Sequence, residues 1–315
     1  MKYKYYIADV FTDKPFFGVP LPVFPCADGL TDLQMQQIAT ELGASCTSFL
    51  FESEKDQSRK MRVFSKVKEI DISTHTILAA SFVLSKTNSI IKKNTEESHL
   101  MISLICENKS SGNKQNKVQI IDTYVTEQKS EATIIQQTYN THAAIDYYTP
   151  THEDLAAMLS LTTADIGFEH YRPLIVSCGS PYLIVPIKSY HAVRAAKFNE
   201  LAWSNSSAPS SLAQDILLYS NNTDETPADF HARLLGPSIA HHEDPPIGGA
   251  IAAFANHICA HEHIQSGTHV FAVQRGANET RKSLIYIEMD NKKTNDLTIR
   301  VGGSAVLMTE AEISF

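Results

Sequence analysis

The stretch DISTHTILAASFVLSKT, residues 71–87, is the most informative about how this chain folds. After a polar start, its segment TILAASFVL (76–84) is apolar on every side of a helix. A surface helix would carry a polar face, so we predict that this helix is enclosed by its own domain. A second stretch, HHEDPPIGGAIAAFANHICAHEH (241–263), has the same design, with a polar loop that leads into an apolar helix. Two enclosed helices imply two cores.

Segments typical of strands precede and follow both helices, and turns rich in Gly and Pro separate them. The two halves of the chain repeat this order although their sequences differ. We therefore predict an α+β protein with two pseudo-symmetric domains, each a mostly antiparallel sheet wrapped around a buried helix. The capping pattern of Thr151 and Asp154 marks the start of a new unit. The predicted domains are 1–145 and 146–301.

The size and charge of the chain limit its function. At 315 residues, the chain suits two domains of about 150 residues each. Its composition is that of a soluble globular protein, with 43% hydrophobic and 20% charged residues. The 35 acidic residues outnumber the 27 basic ones. This balance disfavours nucleic acid and anionic membranes as partners, because both need a positive face.

Other features concern location and cofactors. The start MKYKYYIADVF has no uninterrupted apolar run and meets an acid at Asp9, so we expect no signal peptide. No apolar run is long enough to span a bilayer. The five cysteines are odd in number and widely spaced, which favours reduced thiols in a cytoplasmic protein. Nucleotide-binding glycine motifs are absent, and we expect neither a cofactor nor a metal.

Six blocks of the sequence resemble the phenazine-biosynthesis PhzF family in order and spacing. They are ADVFTDKPFFGVPLPVF (8–24), LQMQQIATELGASCTSFLF (33–51), KEIDISTHTILAASFVL (68–84), SCGSPYLIVPI (177–187), HHEDPPIGGAIAAF (241–254) and IRVGGSAVLM (299–308). The resemblance implies the diaminopimelate-epimerase-like fold, with the active site in the cleft between two pseudo-symmetric domains. It also implies that the C-terminal strand, about 302–315, returns to the first domain. Members of the family are commonly dimers, so a homodimer is expected.

The resemblance also implies an activity. Characterised members isomerise a small cyclic carboxylate without a cofactor, and a glutamate moves the proton from one carbon to another. Aligning the blocks places this glutamate on Cys46 and the family's histidine on His75. The family's aspartate falls on Asp244 and its serine on Gly249. This chain therefore departs from the family pattern at Cys46 and Gly249, and also at Val19, where the family has asparagine.

A short helix precedes the thiol that replaces the glutamate. In GLTDLQMQQIATELG (29–43), Thr31 or Asp32 can cap the start of the helix and Gly43 can close its end. The apolar residues between them lie on a helical stripe. Because the strand-like segment CTSFLF follows, Cys46 is predicted where the helix gives way to a strand.

Cys46 has several interpretations. Removing a carbon-bound proton beside a carboxylate requires a base with a tuned pKa and a site that excludes water. A thiolate can serve, and a cysteine near a helix end or an imidazolium ionises more readily. Alternatively, Cys46 packs as a small buried hydrophobe, as free cysteines often do. A covalent nucleophile is a third possibility.

His75 and Asp244 each have a structural and a functional interpretation. His75 opens the buried helix, where it can cap the helix or orient a bound anion. Asp244 precedes the second helix, where an aspartate can cap the N-terminus and complement the helix dipole. Because Pro245 and Pro246 make its loop rigid, Asp244 can also contact a substrate.

Backbone amides at the two helix starts are candidates for anion binding. Gly248 and Gly249 have no side chain, so their amides can approach a ligand closely. The same reasoning applies to Ser73 and Thr74 at the first helix. Close helix-to-sheet packing, which also favours glycine, is the alternative.

The sequence thus predicts a cofactor-free isomerase or epimerase that acts on a small carboxylate. Cys46 would transfer the proton, with His75 and Asp244 as acid or orienting groups. The competing hypothesis is a family member that has lost the chemistry and binds a small molecule or a partner protein.

Overall fold

The computed structural model describes residues 1–52, 58–87, 97–108, 117–128, 133–210, 213, 215–221, 228–237, 239, 243–261, 264, 266–292 and 296–314. The chain divides into two compact units. Unit 1 comprises Met1–Thr138 and Val301–Phe315, and unit 2 comprises Tyr139–Arg300. Two separate stretches of the chain therefore build unit 1.

Unit 1 contains strands of very different lengths and two α-helices. The strands are β1 (Lys2–Val10), β2 (Val19–Phe24), β3 (Thr47–Glu52), β4 (Arg59–Phe64), β5 (Glu69–Ile70), β6 (Glu97–Asn108), β7 (Lys117–Gln128) and β8 (Ile134–His142). The residues of β8 after Thr138 belong to unit 2. The helices are α1 (Asp32–Leu42) and α2 (Thr74–Thr87). The last strand of the chain, which begins in unit 2 at Asp296 and ends at Ser314, also contributes to this unit.

The strands of unit 1 form a mixed sheet. β1 pairs antiparallel with β2 and with residues 305–314 of the last strand. β2 pairs parallel with β3, and β4 pairs parallel with β6. The pairs β3–β4, β6–β7 and β7–β8 are antiparallel. Because parallel neighbours need a crossover connection, α1 lies in the chain between β2 and β3, and α2 lies between β4 and β6.

Unit 2 repeats this plan with its own elements. Its strands are β9 (Ala144–Asp146), β10 (Leu174–Ser177), β11 (Pro181–Pro186), β12 (Asp215–Ser220), β13 (Phe230–Leu235), β14 (Gly267–Arg275), β15 (Ser283–Asn291) and the first part of β16 (Asp296–Ser314). Its α-helices are α3 (His152–Leu159), α4 (Tyr190–Ala195), α5 (Glu200–Asn205) and α6 (Ile251–Cys259). Short 3-10 helices lie at Thr163–Asp165, Ala208–Ser210 and Asn278–Thr280.

The pairing in unit 2 follows the same order as in unit 1. β10 pairs antiparallel with β9 and β11, whereas β11 pairs parallel with β12. β12 and β13 are antiparallel, β13 and β14 are parallel, and β14 and β15 are antiparallel. Helices α4 and α5 again cross between one parallel pair, and α6 crosses between the other. The mixed α+β class predicted from the sequence is therefore confirmed.

Helix α2 is buried along most of its length. All of its side chains from Thr74 to Ser85 are buried, and it contacts β1, β2, β3, β6 and β7. Burial of each large side chain, such as Leu78 and Phe82, contributes about 1.5–3 kcal/mol. The buried hydroxyl of Ser81 accepts a hydrogen bond of 2.6 Å from the Thr123 hydroxyl in β7. A polar group inside this core is thus paired, as burial requires.

Helix α6 packs within unit 2 against β10, β11 and β15. Phe254 meets the rings of Tyr219 in β12 and Phe230 in β13, with centroid separations of 5.0 and 5.4 Å. The side chains from Ala253 to Ile258 are buried. Aromatic contacts of this kind fix the rotation of the helix and hence the direction of its N-terminus.

The caps predicted from the sequence are present. Thr31 precedes α1, its hydroxyl accepts the N–H of Gln34 at 3.3 Å, and the Gln34 side chain accepts the N–H of Thr31 at 2.9 Å. Gly43 ends the helix with φ of 65°, a conformation that glycine adopts without strain. Thr151 caps α3 by accepting the N–H of Asp154 at 3.1 Å. Local sequence therefore determines these helix boundaries.

Candidate active site

The start of α2 is held by the threonine of its first turn. The Thr76 hydroxyl accepts the N–H of Ser73 at 3.1 Å and donates to the Ser73 carbonyl at 2.7 Å. The Ser73 carbonyl also accepts the N–H of Ile77. The amide of Ser73 is therefore engaged within the helix start and does not point to a ligand. Its hydroxyl is left for a different partner.

That partner is His75. The Ser73 hydroxyl lies 3.1 Å from Nδ1 and 3.2 Å from Nε2 of the imidazole. The Cys46 thiol, which reaches this point from the loop before β3, lies 3.8 Å from Nε2. Ser45 adds a hydroxyl 4.0 Å from the same sulfur. Unit 1 thus brings together three of the residues singled out from the sequence: a thiol, an imidazole and a hydroxyl.

Burial controls the charge of this thiol. Cys46 is 2% exposed and His75 is 9% exposed. Loss of water raises the pKa of the Cys46 thiol to about 12, and the Ser45 hydroxyl only partly offsets that effect. The thiol is therefore protonated at neutral pH, and it must lose this proton before it can act as a base.

A second buried cysteine shows which features are special to Cys46. Cys106 in β6 is also 2% exposed, and burial raises its pKa to about 12 as well. Its sulfur lies near the Leu104 carbonyl at 3.9 Å, with no imidazole contact among the described residues. Burial and pKa therefore do not distinguish the two thiols. The adjacent imidazole does.

Ser48 adds a further polar group on the side of β3 that faces α2. Phe49 and Phe51 pack in the cluster formed with α1, so alternation along the strand turns Ser48 to the opposite face. Ser48 is 1% exposed, and its hydroxyl finds no hydrogen-bond partner among the described residues. An unpaired buried hydroxyl costs free energy, and the hydroxyl of the neighbouring Thr47 is buried and unpaired as well.

In unit 2, Asp244 is held by arginines. Arg194 donates to its Oδ1 at 2.6 Å, and Arg233 Nε lies 3.7 Å from the same oxygen. The Asp244 side chain is only 2% exposed. Within the described part of the chain, its Oδ2 is buried without a hydrogen-bond partner. One carboxylate oxygen is therefore fixed by an ion pair, while the other is an unused acceptor.

The same arginines hold the backbone around Asp244. Arg233 donates to the Glu243 carbonyl at 2.9 Å. It also donates at 3.3, 3.0 and 2.8 Å to three carbonyls at the end of α4, those of Val193, Arg194 and Ala196. Arg275 donates to the Asp244 carbonyl and, at 2.7 Å, to the Ser283 hydroxyl. The loop that leads to α6 is thus fixed by side chains from β13 and β14.

Gly249 lies against a tyrosine. A Cβ atom at this position would stand 2.8 Å from the Tyr182 hydroxyl, so the end of the tyrosine side chain would have to shift to admit one. Ala250 precedes α6 without a side-chain cap, and its N–H donates to the Ile247 carbonyl at 2.9 Å. The glycine predicted as a ligand contact is therefore also favoured by packing against Tyr182.

Sequence reasoning missed several of these residues. Arg194, Arg233 and Arg275, which hold Asp244 and its loop and are called the arginine clamp below, belong to no motif, and neither does Tyr182. One signal was available, because Arg233 and His231 alternate within FHARLL, a strand whose other residues are apolar. Charged and titratable groups in an otherwise apolar strand indicate a buried polar network.

The described residues form neither a metal-ligand cluster nor a membrane span. Across them, no three His, Cys, Asp or Glu side chains come together as a set that could hold a metal ion. No helix in the described part of the chain combines the length and apolar character needed to cross a membrane.

Two units of the same plan, each with a buried helix that begins among polar side chains, define an α+β protein built by internal repetition. The model of the phenazine biosynthesis-like (PhzC-PhzF) family matches residues 8–311, so the chain belongs to that family. The resemblance stated from the sequence is confirmed.

Similar proteins cover the full length of the chain. An uncharacterized isomerase of Clostridium acetobutylicum is 25% identical over 99% of this chain and 98% of its own. The trans-2,3-dihydro-3-hydroxyanthranilate isomerase of Pseudomonas aeruginosa is 22% identical over 98% of both chains. The crystal structure of a Bacillus anthracis PhzF-family protein superposes with a TM-score of 0.80 at 22% identity and covers 100% of both chains. Relatives named isomerases support an isomerase role for this chain.

Proposed function

We propose that this protein is an isomerase or epimerase that acts on a small carboxylate by cofactor-free proton transfer. The observation that carries the proposal is the contact of Cys46 with His75, 3.8 Å from sulfur to Nε2, at the start of an enclosed helix. A thiol beside an imidazole is a competent acid–base pair. The family relatives named isomerases support the same class of reaction.

The proton moves in a balanced sequence. His75 accepts the thiol proton of Cys46, which gives a thiolate and an imidazolium. The thiolate then removes a carbon-bound proton of the substrate, and the resulting carbanion is stabilised by the adjacent carboxylate or enol. The same thiol returns the proton to a different carbon of the substrate and becomes a thiolate again. The imidazolium of His75 then returns its proton to this thiolate, which restores the starting state. Exclusion of water keeps the abstracted proton on the sulfur between the two steps.

Other residues are assigned to substrate binding. The Thr74 amide, at the first turn of α2, is a candidate donor to the substrate carboxylate, because helix N-termini attract anions. The Ser73 hydroxyl orients His75. Asp244 of unit 2 remains a predicted acid or orienting group, and Gly248 and Gly249 remain predicted substrate contacts.

The test is solvent-deuterium exchange into a panel of small carboxylates in D₂O, followed by NMR. The panel contains proline, pyrroline carboxylates, and dihydro-hydroxyanthranilates related to the substrate named for the Pseudomonas relative. Replacing Cys46 by serine should slow exchange by about 10²–10⁴-fold, the usual contribution of a positioned acid or base. Cys106→Ser is the matched control, since this thiol has the same burial and the same raised pKa.

Each outcome decides between hypotheses. Exchange that survives in Cys46→Ser removes the thiol from the mechanism. Binding of a carboxylate with no exchange in the wild-type protein favours the second candidate function, a binding protein that has lost the chemistry. One observation favours that candidate: burial raises the pKa of Cys46 to about 12, so the free protein holds no thiolate at neutral pH.

A further inference from the structure

Two neighbouring strands of unit 2 each carry a buried polar side chain on the sheet face turned away from α6. Phe230 of β13 packs on Phe254 of that helix, so alternation along the strand turns His231 to the opposite face. Gln274 of β14 is the register partner of His231, and side chains paired in this way share a face. His231 is 0% exposed and Gln274 is 2% exposed. The two polar side chains are therefore neighbours inside the protein.

Neither side chain is fully satisfied by the residues that the structure describes. Both ring nitrogens of His231 and Oε1 of Gln274 are buried without a hydrogen-bond partner among them. The Gln274 amide nitrogen donates to the Gly276 carbonyl at 3.3 Å, so its oxygen is the atom that remains. Buried polar groups are nearly always paired, with protein or with an ordered water. An imidazole and an amide that lie side by side without bonding each other can share a bridging molecule.

The charges around His231 limit the kind of molecule that can bind there. The charged groups that act on the imidazole are three cations and one anion, namely Arg194, Arg233, Lys282 and Asp244. This positive excess disfavours a bound cation, and the free acceptor of Gln274 disfavours an anion. The ring of Tyr190 in α4 covers the imidazole at a centroid distance of 4.6 Å. A small neutral molecule that both donates and accepts hydrogen bonds fits these conditions, as water does in other buried polar sites.

We infer that unit 2 has an internal binding site for one water molecule between His231 and Gln274. The water donates a hydrogen bond to Oε1 of Gln274 and makes a second one with a ring nitrogen of His231. Because Arg233 follows on the strand of His231 and Arg275 follows Gln274, the water ties together the two strands that carry these members of the arginine clamp. The site lies within unit 2 and does not depend on the proposed function.

The alternative is that the two side chains are simply buried next to each other. A double-mutant cycle of His231→Phe and Gln274→Met separates the two cases at about pH 7.5, where an unfolded histidine is mostly neutral. Without a bridging water, each change removes an unpaired buried group, so each should leave stability unchanged or raise it, and the two effects should add.

A bridging water predicts a different pattern. Each single change leaves the other side chain and the water short of a partner, so the equilibrium constant of unfolding should rise about 10-fold. The double variant removes both partners together. Its unfolding constant should therefore rise by much less than the roughly 100-fold that two independent losses would give.

Gln137→Met is the matched control. Gln137 of β8 is 5% exposed, and its Oε1 is also buried without a partner in the described part of the chain. It is the same residue type in the same state, but it belongs to unit 1. Its effect should add to that of His231→Phe.

The experiment is urea denaturation of the full chain and of these variants, together with a crystal structure of the wild-type protein. Coupling between His231→Phe and Gln274→Met supports the inference, and additive effects overturn it. If a variant fails to fold, the crystal structure decides. Electron density for a water within about 3.2 Å of both a His231 nitrogen and Gln274 Oε1 supports the site, and its absence overturns it. Deuterium exchange into carboxylates tests the proposed function separately.

Discussion

The starts of the two enclosed helices have the same place in the fold but opposite chemistry. At α2, the contacts join a thiol, an imidazole and hydroxyl groups, and the thiol is neutral. At the loop before α6, they join a carboxylate to guanidinium groups. The strand order and the parallel pairs around the helices are alike in the two units. A repeated architecture therefore does not impose a repeated chemistry.

The difference also concerns how each helix start is held. In unit 1, Thr76 and Ser73 are three residues apart, and their mutual hydrogen bonds form within the helix itself. In unit 2, Arg233 and Arg275 reach from neighbouring strands to the carbonyls of Glu243 and Asp244. The hydrogen bonds that hold the start of α2 are local, so they form together with the helix. The loop before α6 is held instead by buried charged side chains, and each buried charge needs a partner. Stability should therefore be far more sensitive to changes in unit 2.

Among the variants that test this contrast, Arg233→Ala is expected to cause the largest loss of stability. It removes the donor to four backbone carbonyls and leaves Asp244 without one of its cationic neighbours, so we expect a loss of about 3–5 kcal/mol of unfolding free energy. Arg62→Ala is the control in unit 1, since Arg62 pairs with Glu69 and Asp32 nearer the surface. That change should cost about 1 kcal/mol or less. Urea denaturation measures both, and equal losses would contradict the contrast.

Alkaline pH should weaken unit 1 through its thiols. Burial raises the pKa of Cys46 and Cys106 to about 12 in the folded protein, whereas an unfolded thiol titrates near about 8.5. The folded state holds more protons between these values, so stability is complete below about pH 8.5 and falls as the pH rises toward 12. Each thiol contributes a slope of up to about 1.4 kcal/mol per pH unit.

Urea denaturation from pH 8 to pH 11 measures this slope. Replacement of Cys46 by serine should reduce it, and Cys106→Ser should reduce it by a similar amount. A slope unchanged in both variants would show that the thiols ionise as freely in the folded chain as in the unfolded one.

Acid should weaken unit 2 through His231. Burial and the positive charge of Arg194 lower the pKa of His231 to about 4, although Asp244 acts in the opposite direction. An unfolded histidine titrates near about 6.5, so the unfolded state binds more protons between pH 6.5 and 4. The stability contributed by neutral His231 is present above pH 6.5 and is lost as the pH falls toward 4.

His231→Phe keeps a ring beside Tyr190, whose centroid lies 4.6 Å from the imidazole. The variant should therefore flatten the fall in stability between pH 6.5 and 4.5, measured by guanidinium denaturation. A steep acid profile that persists in His231→Phe would assign the loss to other groups.

Much of the fold could be predicted from the sequence because its signals are local. The caps of α1 at Thr31 and Gly43 and the cap of α3 at Thr151 depend on residues within one helical turn. The family resemblance also placed Cys46 and His75 in one site, and the structure brings them into contact. By contrast, the predicted anion contact through the Ser73 amide does not fit, because Thr76 accepts that N–H. A competing cap within the same turn explains the difference.

Local sequence accounts for the helix starts and ends, the apolar character of α2 and α6, and the residue types of the candidate site. Which groups meet is a property of the folded chain. The Cys46–His75 pair is 29 residues apart in the chain, the Arg194–Asp244 pair is 50 apart, and Tyr182 reaches Gly249 from another strand. Such contacts depend on strand register and on burial, which also sets the pKa of each group. Local sequence patterns encode neither quantity, so the arginine clamp and the tyrosine hydroxyl could be found only in the folded chain.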